Sequence, residues 1–219
     1  MVPDSLNFMS KLWMSWLGAL LTLLVVAGTV PAQGLPEPSI TYYGEVKNIV
    51  MFSHSNKGHE GYLGNSVIGE WCNIGADSNC SNLKNNWSEV KLWSYVSGQI
   101  EETDQLKIGI FMGDYTMCGI NSMFNTGTVT GLCCNLFGSG FLPKFMPSFS
   151  WGGFDNFTTY IPEKAFEAVE RMMSIHGHHL GTEDRLLLMS VFEETAKYRP
   201  WEMKEETGRK FFKLFDVKP

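Results

Sequence analysis

Residues 68–81 read IGEWCNIGADSNCS and repeat with a period of six residues. An isoleucine followed by glycine stands at Ile68 and again at Ile74, and a small residue stands four positions after each, at Cys72 and Ser78. This pattern is typical of hexapeptide repeats, in which three short strands make one triangular coil. The apolar and the small side chain both point into the coil, where a bulky residue would not fit. The stretch therefore predicts a β-helix.

A second run with the same period begins at Met112. The positions in phase with its first residue are Met112, Cys118, Phe124 and Thr130, and the small positions are Thr116, Ser122, Thr128 and Cys134. Two runs that agree at both positions favour a true repeat over a chance period in an ordinary β-protein. In such a repeat each coil pairs its backbone with the coils above and below, so edges remain only at the ends. We therefore expect a mainly β chain, built on a left-handed parallel β-helix over residues 39–160.

Residues 84–107 interrupt the period between the two runs. The apolar residues Val90 and Leu92 precede Ser97-Gly98, a dipeptide typical of a hairpin turn. We predict an inserted hairpin or loop that leaves one coil. It either shapes a functional cleft, since loops on rigid scaffolds often carry function, or is a solvated decoration.

Residues 139–153 combine glycines and prolines with four large aromatic residues. This composition predicts either a hydrophobic plug for the open end of the solenoid or a groove for a ligand. The ligand in the second case is a sugar or the pantetheine arm of a cofactor.

Two helices are predicted in the C-terminal region, residues 161–219. Pro162 suits the first turn of a helix over residues 162–175, and Thr182 is a candidate cap for a second helix over residues 182–198. Apolar residues at helical spacing are Phe166, Val169 and Met173 in the first helix and Leu188, Val191, Phe192 and Ala196 in the second. We expect these stripes to pack against the solenoid or a neighbouring subunit. No metal site is predicted at the histidines between the helices, because no cysteine or carboxylate completes a ligand set there.

Residues 1–38 form an apolar leader. No charged residue occurs from position 12 to position 36, and Lys11 precedes that stretch. The leader is a signal peptide cleaved near Ala32, a membrane anchor, or an extension that is not native to the fold. We expect a cytoplasmic protein, or a membrane-anchored or exported one if residues 12–32 are a true signal.

Charge and cysteine content exclude several classes of protein. The formal net charge is −6 and Lys and Arg form no stripe, which argues against nucleic-acid binding. The five cysteines are an odd number without CxxC spacing, which disfavours a disulfide framework or a zinc site. We therefore expect reduced, buried thiols at Cys72, Cys80, Cys118, Cys133 and Cys134.

Residues 55–65, SNKGHEGYLGN, lead into the first clear repeats. They resemble the active-site segment of the bifunctional N-acetylglucosamine-1-phosphate uridyltransferase/glucosamine-1-phosphate acetyltransferase family of bacteria. The resemblance implies that His59 is the catalytic residue and that Tyr62, three residues later, contacts the sugar. An imidazole suits the role of general base, because it titrates near neutral pH.

Three further positions match the same family. The sequence NIGA at positions 73–76 matches a family motif. The asparagine of that motif, here Asn73, contacts the sugar. Asn82 falls on a second active-site asparagine, and Lys47 falls on a lysine that binds the sugar phosphate. The resemblance thus implies an amino-sugar phosphate as acceptor and acetyl-CoA as co-substrate.

The chain resembles more closely a sugar nucleotidyltransferase subfamily of the same type. The matching sequence segments are residues 65–86, 119–129 and 147–153. Together the similarity covers about residues 40–198. The family's arginine upstream of Lys47 has no counterpart, and its lysine downstream of Asn82 is displaced by the insertion. A uridyltransferase domain needs roughly two hundred residues upstream, so we do not expect this chain to make a sugar nucleotide alone.

The implied function is that of an acetyl-CoA-dependent N-acetyltransferase in a sugar-nucleotide pathway. The resemblance also implies that the chain forms a homotrimer with active sites between subunits. Two alternatives stay open. The chain is a catalytically silent, oligomerising C-terminal module of a sugar nucleotidyltransferase, or, if the leader is a true signal, a sugar-binding surface protein.

Overall fold

The computed structural model describes residues 41–42 and 44–202, so the predicted leader lies outside the described residues. Short parallel strands stack into a solenoid with three faces. The first face holds β1 (Thr41–Tyr42), β4 (Asn56–Lys57), β7 (Asn73–Ile74), β12 (Met117–Cys118), β15 (Asn135–Leu136) and β17 (Ser150–Gly153). The second face holds β2 (Glu45–Lys47), β5 (Tyr62–Gly64), β8 (Asn79–Cys80) and β13 (Met123–Phe124). The third face holds β3 (Val50–Met51), β6 (Val67–Ile68), β11 (Ile110–Met112), β14 (Thr128–Thr130) and β16 (Phe145–Met146). The predicted left-handed parallel β-helix is confirmed.

Each of the first coils contains 17 residues, as the pairing of Val50 with Val67 on the third face shows. Three full hexapeptides would take about eighteen, so one corner is a residue shorter. The short corner joins the second face to the third, since Leu63 and Ile68 are both buried in the interior and are five positions apart. Asn65 turns the chain there with φ of 49°, in the left-handed region that asparagine tolerates better than most residues.

The positions predicted to point inward are buried. Apolar members of the interior include Ile68, Ile74, Cys80, Met112, Cys118 and Phe124. Small members include Cys72, Ser78, Thr116, Ser122, Thr128 and Cys134. All five cysteines are free thiols in buried positions, as predicted. Burial raises the pKa of Cys80 to about 12 and that of Cys134 to about 11, so these thiols stay protonated.

The insertion forms an antiparallel hairpin of β9 (Lys91–Ser94) and β10 (Gln99–Glu102). This hairpin packs against the solenoid and is not a separate, solvated element. It lies away from the loop that contains His59. Val90 and Leu92 pack with Val67 and Phe111 of the third face in a separate apolar cluster. Trp93 stacks on Phe145 of the last coil with ring centroids 4.0 Å apart. The hairpin therefore covers the outside of the third face.

Residues 139–153 form the last coil of the solenoid. Phe149 is fully buried, Met146 belongs to the interior, and Trp151 is exposed on β17. The end of the first face is closed by β18 (Asn156–Thr159), which pairs antiparallel with β17. Phe157 of β18 packs against the interior and completes the closure.

The two predicted helices are α1 (Pro162–Ile175) and α2 (Thr182–Thr195), and a short 3₁₀ helix (Ala196–Tyr198) follows. They cover the corner between the third and first faces. The corner residues have φ between 52° and 61° and form a column of His54, Trp71, Tyr115, Cys133 and Phe149. Buried residues of α1 that pack on this column are Ala165, Phe166, Val169 and Met173. A helix of 14 residues rises about 21 Å, which matches roughly four coil spacings.

The predicted cap of α2 is wrong by one residue. Thr182 is the first helical residue, and Gly181 is the N-cap. The Asp184 carboxylate accepts a hydrogen bond of 3.1 Å from the Gly181 N–H and so supports the first turn in place of a hydroxyl cap.

No helix within residues 41–42 and 44–202 has the length and apolar character needed to cross a membrane.

Arg199 forms hydrogen bonds that connect the end of the helical region to the last coil. Its side chain is fully buried. The guanidinium donates to Glu202 at 2.6 Å, to Thr195 at 3.0 Å and to the carbonyl oxygens of Phe192 and Ser148 at 2.8 and 3.3 Å. A buried cation with these partners is costly to remove, because carbonyls and a carboxylate lose their donor.

We predict that Arg199→Ala lowers the free energy of unfolding by about 3 kcal/mol, the usual cost of breaking a buried ion pair from one side. Urea denaturation followed by circular dichroism measures the change. The matched control is Arg171→Ala, whose guanidinium is exposed and 3.9 Å from Glu167. The control is expected to change stability by less than about 0.5 kcal/mol. A loss below about 1 kcal/mol for Arg199→Ala would contradict the anchor role.

His54 begins the same corner column and is predicted to make stability depend on pH. Its ring stacks on Trp71 at 3.9 Å and faces His178 and His176 from the loop between the helices. Burial, followed by the charges of His178 and His176, lowers the pKa of His54 from 6.5. The unfolded chain therefore binds the proton first, and stability is lost as the pH falls below about 6.5. His54→Phe keeps the stacking and should flatten the drop of the melting temperature between about pH 7.5 and 5.5. Equal slopes for variant and wild type would refute this origin.

Candidate active site

The candidate base His59 lies in the loop of residues 58–61, which joins β4 to β5 at the corner between the first and second faces. The side chains of His59 and Glu60 are exposed. Their carbonyl oxygens instead accept hydrogen bonds of 2.9 and 2.6 Å from the ammonium of Lys57. The loop thus presents the imidazole to solvent at an open corner.

Three other predicted residues lie together on the second face and its edge. β2 and β5 pair so that Lys47 lies opposite Gly64, and Glu45 lies opposite Tyr62. A Cβ atom on Gly64 would collide with the Tyr62 hydroxyl and would come within 2.9 Å of the Asn82 Nδ2 atom. The phenol and the amide therefore share the space that this glycine leaves free.

Neighbouring coils hold the Asn82 side chain and the Tyr62 backbone in place. The Asn82 amide donates to the Asn65 side-chain oxygen at 2.6 Å. The Tyr62 backbone N–H donates to the side-chain oxygen of Asn79 at 2.8 Å. Both partners stand 17 residues from the residue they contact, which is one coil.

The Tyr62 phenol remains a hydrogen-bond donor at neutral pH. Burial, and after it the negative charge of Glu45, raises the pKa of Tyr62 above its usual value of 10.0. A protonated phenol can donate to a hydroxyl or phosphate oxygen of a ligand. Lys47 is exposed, and within the described part of the chain its ammonium forms no ion pair. It is therefore available to an anionic group.

Asn73 does not lie on the same face as this group. It lies on β7 of the first face, next to Asn56 of β4 and Met117 of β12. His59 lies at the corner that the two faces share, so Asn73 and Tyr62 are on opposite sides of the candidate base. Within one chain the predicted site residues therefore surround a corner and do not line a single cleft.

Sequence reasoning missed four residues that shape this region: Lys57, Glu45, Asn65 and Asn79. The signal for two of them is a spacing of 17, since Asn65 and Asn82, like Tyr62 and Asn79, are one coil apart. Glu45 is two residues before Lys47, and alternate residues of a strand point to the same side. Lys57 occupies an inward position, where the pattern gives no reason to expect a charge.

The side chains in this region suit a polar, anionic ligand. The exposed imidazole of His59 and the exposed ammonium of Lys47 lie on one side of the β-solenoid, together with the half-buried side chains of Tyr62 and Asn82. No set of three or more His, Cys, Asp or Glu side chains within residues 41–42 and 44–202 could hold a metal ion. The fold and the site thus define a left-handed β-helix protein with a polar candidate site around one corner.

Comparison with known proteins identifies curated relatives that match part of the chain. The chain is 33% identical over 90 residues to the bifunctional protein GlmU of Methanocaldococcus jannaschii, a match over 41% of this chain and 21% of the relative. It is 33% identical over 93 residues to the bifunctional sugar-1-phosphate nucleotidylyltransferase/acetyltransferase of Sulfurisphaera tokodaii, over 42% of this chain and 23% of the relative. No protein-family profile matches the chain. The chain spans about a fifth of the length of these curated relatives, and over that part its resemblance to such bifunctional proteins is confirmed.

Proposed function

We propose that the chain is an acetyl-CoA-dependent N-acetyltransferase that acts on an amino-sugar phosphate in a sugar-nucleotide pathway. The observation that carries the proposal is the outward placement of His59 at the corner next to Tyr62. The printed names of the two relatives, a bifunctional GlmU and a nucleotidylyltransferase/acetyltransferase, support the reaction class. Because acetyl-CoA is a cytoplasmic metabolite, a cytoplasmic location follows from this proposal.

The reaction needs one base. The amine of the sugar attacks the carbonyl carbon of the acetyl thioester, a C–N bond forms and the C–S bond breaks. His59 accepts the proton that the amine loses and returns it to the thiolate of coenzyme A as it leaves. Backbone N–H groups of a coil turn would stabilise the oxyanion of the tetrahedral intermediate.

The acceptor is held by the remaining residues. Lys47 pairs with the phosphate, and Tyr62 and Asn82 donate hydrogen bonds to sugar oxygens on the second face. Asn73 approaches the sugar from the first face. With these residues on two faces of a corner, a second chain that packs at this corner would complete the site.

We predict that His59→Ala reduces acetyl transfer by about a hundred- to ten-thousand-fold, because a general base is lost. Lys47→Ala should instead mainly raise the KM of the phosphorylated acceptor, because its role is charge pairing. The assay follows thiol release from acetyl-CoA with glucosamine 1-phosphate and related amino sugars. The matched control is His179→Ala, an exposed histidine that contacts Glu170 on the helical side of the molecule.

Two outcomes would count against the mechanism. Full activity of His59→Ala would exclude His59 as the base. A wild-type chain that is inert with every acceptor and binds no coenzyme A by calorimetry would favour the silent oligomerising module.

We also predict that the chain forms a homotrimer through the His59 corner. Exposed apolar residues follow one another along this corner in the later coils: Ile120, Phe137 and Phe154 are 68%, 40% and 62% exposed. Contiguous apolar surface of this kind is typical of interfaces. Light scattering should give three times the chain mass, and Ile120→Asp should dissociate the assembly. Leu186→Asp on α2, where the leucine is 66% exposed, is the control and should leave the trimer intact. A stable wild-type monomer at micromolar concentration would disprove the assembly.

A further inference from the structure

Lys57 is a charged residue at a position where the fold requires an apolar one. It is the second residue of β4, and the equivalent residues of the next coils, Ile74 and Cys118, belong to the hydrophobic interior. The Lys57 side chain is fully buried. A methionine of similar length would fill this position without any charge, so packing alone does not explain the lysine.

The ammonium of Lys57 is compensated by the loop that carries His59. It donates to the carbonyl oxygens of His59 and Glu60, at 2.9 and 2.6 Å. The next residue, Gly61, has φ of 114°, and a Cβ atom there would lie 3.1 Å from the ammonium. The loop is therefore folded tightly over the charge, and its carbonyl groups point inward instead of into water. Burying an ammonium is costly without such partners, so loop and lysine stabilise each other.

Among the residues that the structure describes, none forms a hydrogen bond with the ring nitrogens of His59. Functional histidines usually gain their orientation from a partner on the second ring nitrogen. Here the orientation of the ring depends on the backbone of residues 58–61. Neighbouring coils hold the end of this loop, since the Asp77 N–H donates to the Glu60 carbonyl oxygen at 3.0 Å and the Glu45 N–H donates to the Gly61 carbonyl oxygen at 3.2 Å. Lys57 holds the carbonyl oxygens of His59 and Glu60 from inside the solenoid.

We propose that Lys57 is a positioning residue, which fixes the His59 imidazole at the corner by holding the carbonyl groups of residues 59 and 60. The contact between Lys57 and the loop is an observation of geometry alone. Only its expected effect on catalysis rests on the proposed function. Lys57 touches neither acceptor nor acetyl donor and acts through the backbone of the loop.

The test is Lys57→Met, with Ile74→Met as the matched control in the next coil. Amide hydrogen exchange of residues 58–61, and the line widths of the His59 ring protons by NMR, report on order of the loop. We expect exchange to become at least about tenfold faster in Lys57→Met and to stay at the wild-type rate in Ile74→Met, since only the first variant removes donors to the loop. In the acetyl-transfer assay we expect kcat to fall about ten- to a hundredfold while the KM of the acceptor changes less than about twofold, because misplacement of the base affects only the chemical step.

Unchanged exchange and ring line widths in Lys57→Met would overturn the proposal, and so would an unchanged kcat in an active enzyme. A loosened loop in a chain whose wild type transfers no acetyl group would leave the positioning contact standing and would reject the proposed function. If Lys57→Met fails to fold, Lys57→Gln replaces it, since glutamine keeps a polar group but is shorter and uncharged. The same loosening is expected, and its absence overturns the proposal.

Discussion

The parallel backbone ladder between successive coils is the constraint on which the rest of this protein depends. Each short strand hydrogen-bonds to the strand one coil away, at a spacing of 17 residues in the first coils. Because strands of two or three residues bury little surface singly, the stack is stable only when every coil repeats the same inward positions. This repetition explains why small and apolar residues recur in phase, and why the thiols lie in the interior.

The same ladder brings distant residues of the candidate site together. Lys47 reaches the second face because β2 pairs with β5, and Asn82 reaches Tyr62 because the next coil lies directly beside it. Stacked coils therefore act as a rigid frame for side chains that are 15 to 35 positions apart. The loop of His59 adds a second kind of support, since the ammonium of Lys57 and the backbone of neighbouring coils both donate hydrogen bonds to its carbonyl oxygens.

The additions to the solenoid are distributed around it in a way that leaves one side free. The hairpin of β9 and β10 covers the third face, and α1 and α2 cover the corner between the third and first faces. The second face and the corner of His59 receive neither addition within the described residues. The exposed side chains of His59 and Lys47, and the exposed Ile120 and Phe137, lie on this free side. Site and proposed interface thus share the surface that the additions leave open.

The sequence by itself determined the coil interior, the presence of an inserted hairpin and the presence of the two helices, because each depends on local periodicity or turn chemistry. The second helix is predicted to reach residue 198, but the α-helix ends at Thr195 and a 3₁₀ helix follows. It also singled out His59, Lys47, Tyr62, Asn73 and Asn82, whose roles rest on resemblance and stay predictions. Only the tertiary structure decided that Asn73 lies on another face than Tyr62, that the hairpin packs on the third face, and that Lys57 is buried beneath His59. The physical reason is that these features come from pairing between coils and from packing on their outside. A period of six residues specifies which side chains point inward, but not which surface an insertion or a loop will meet.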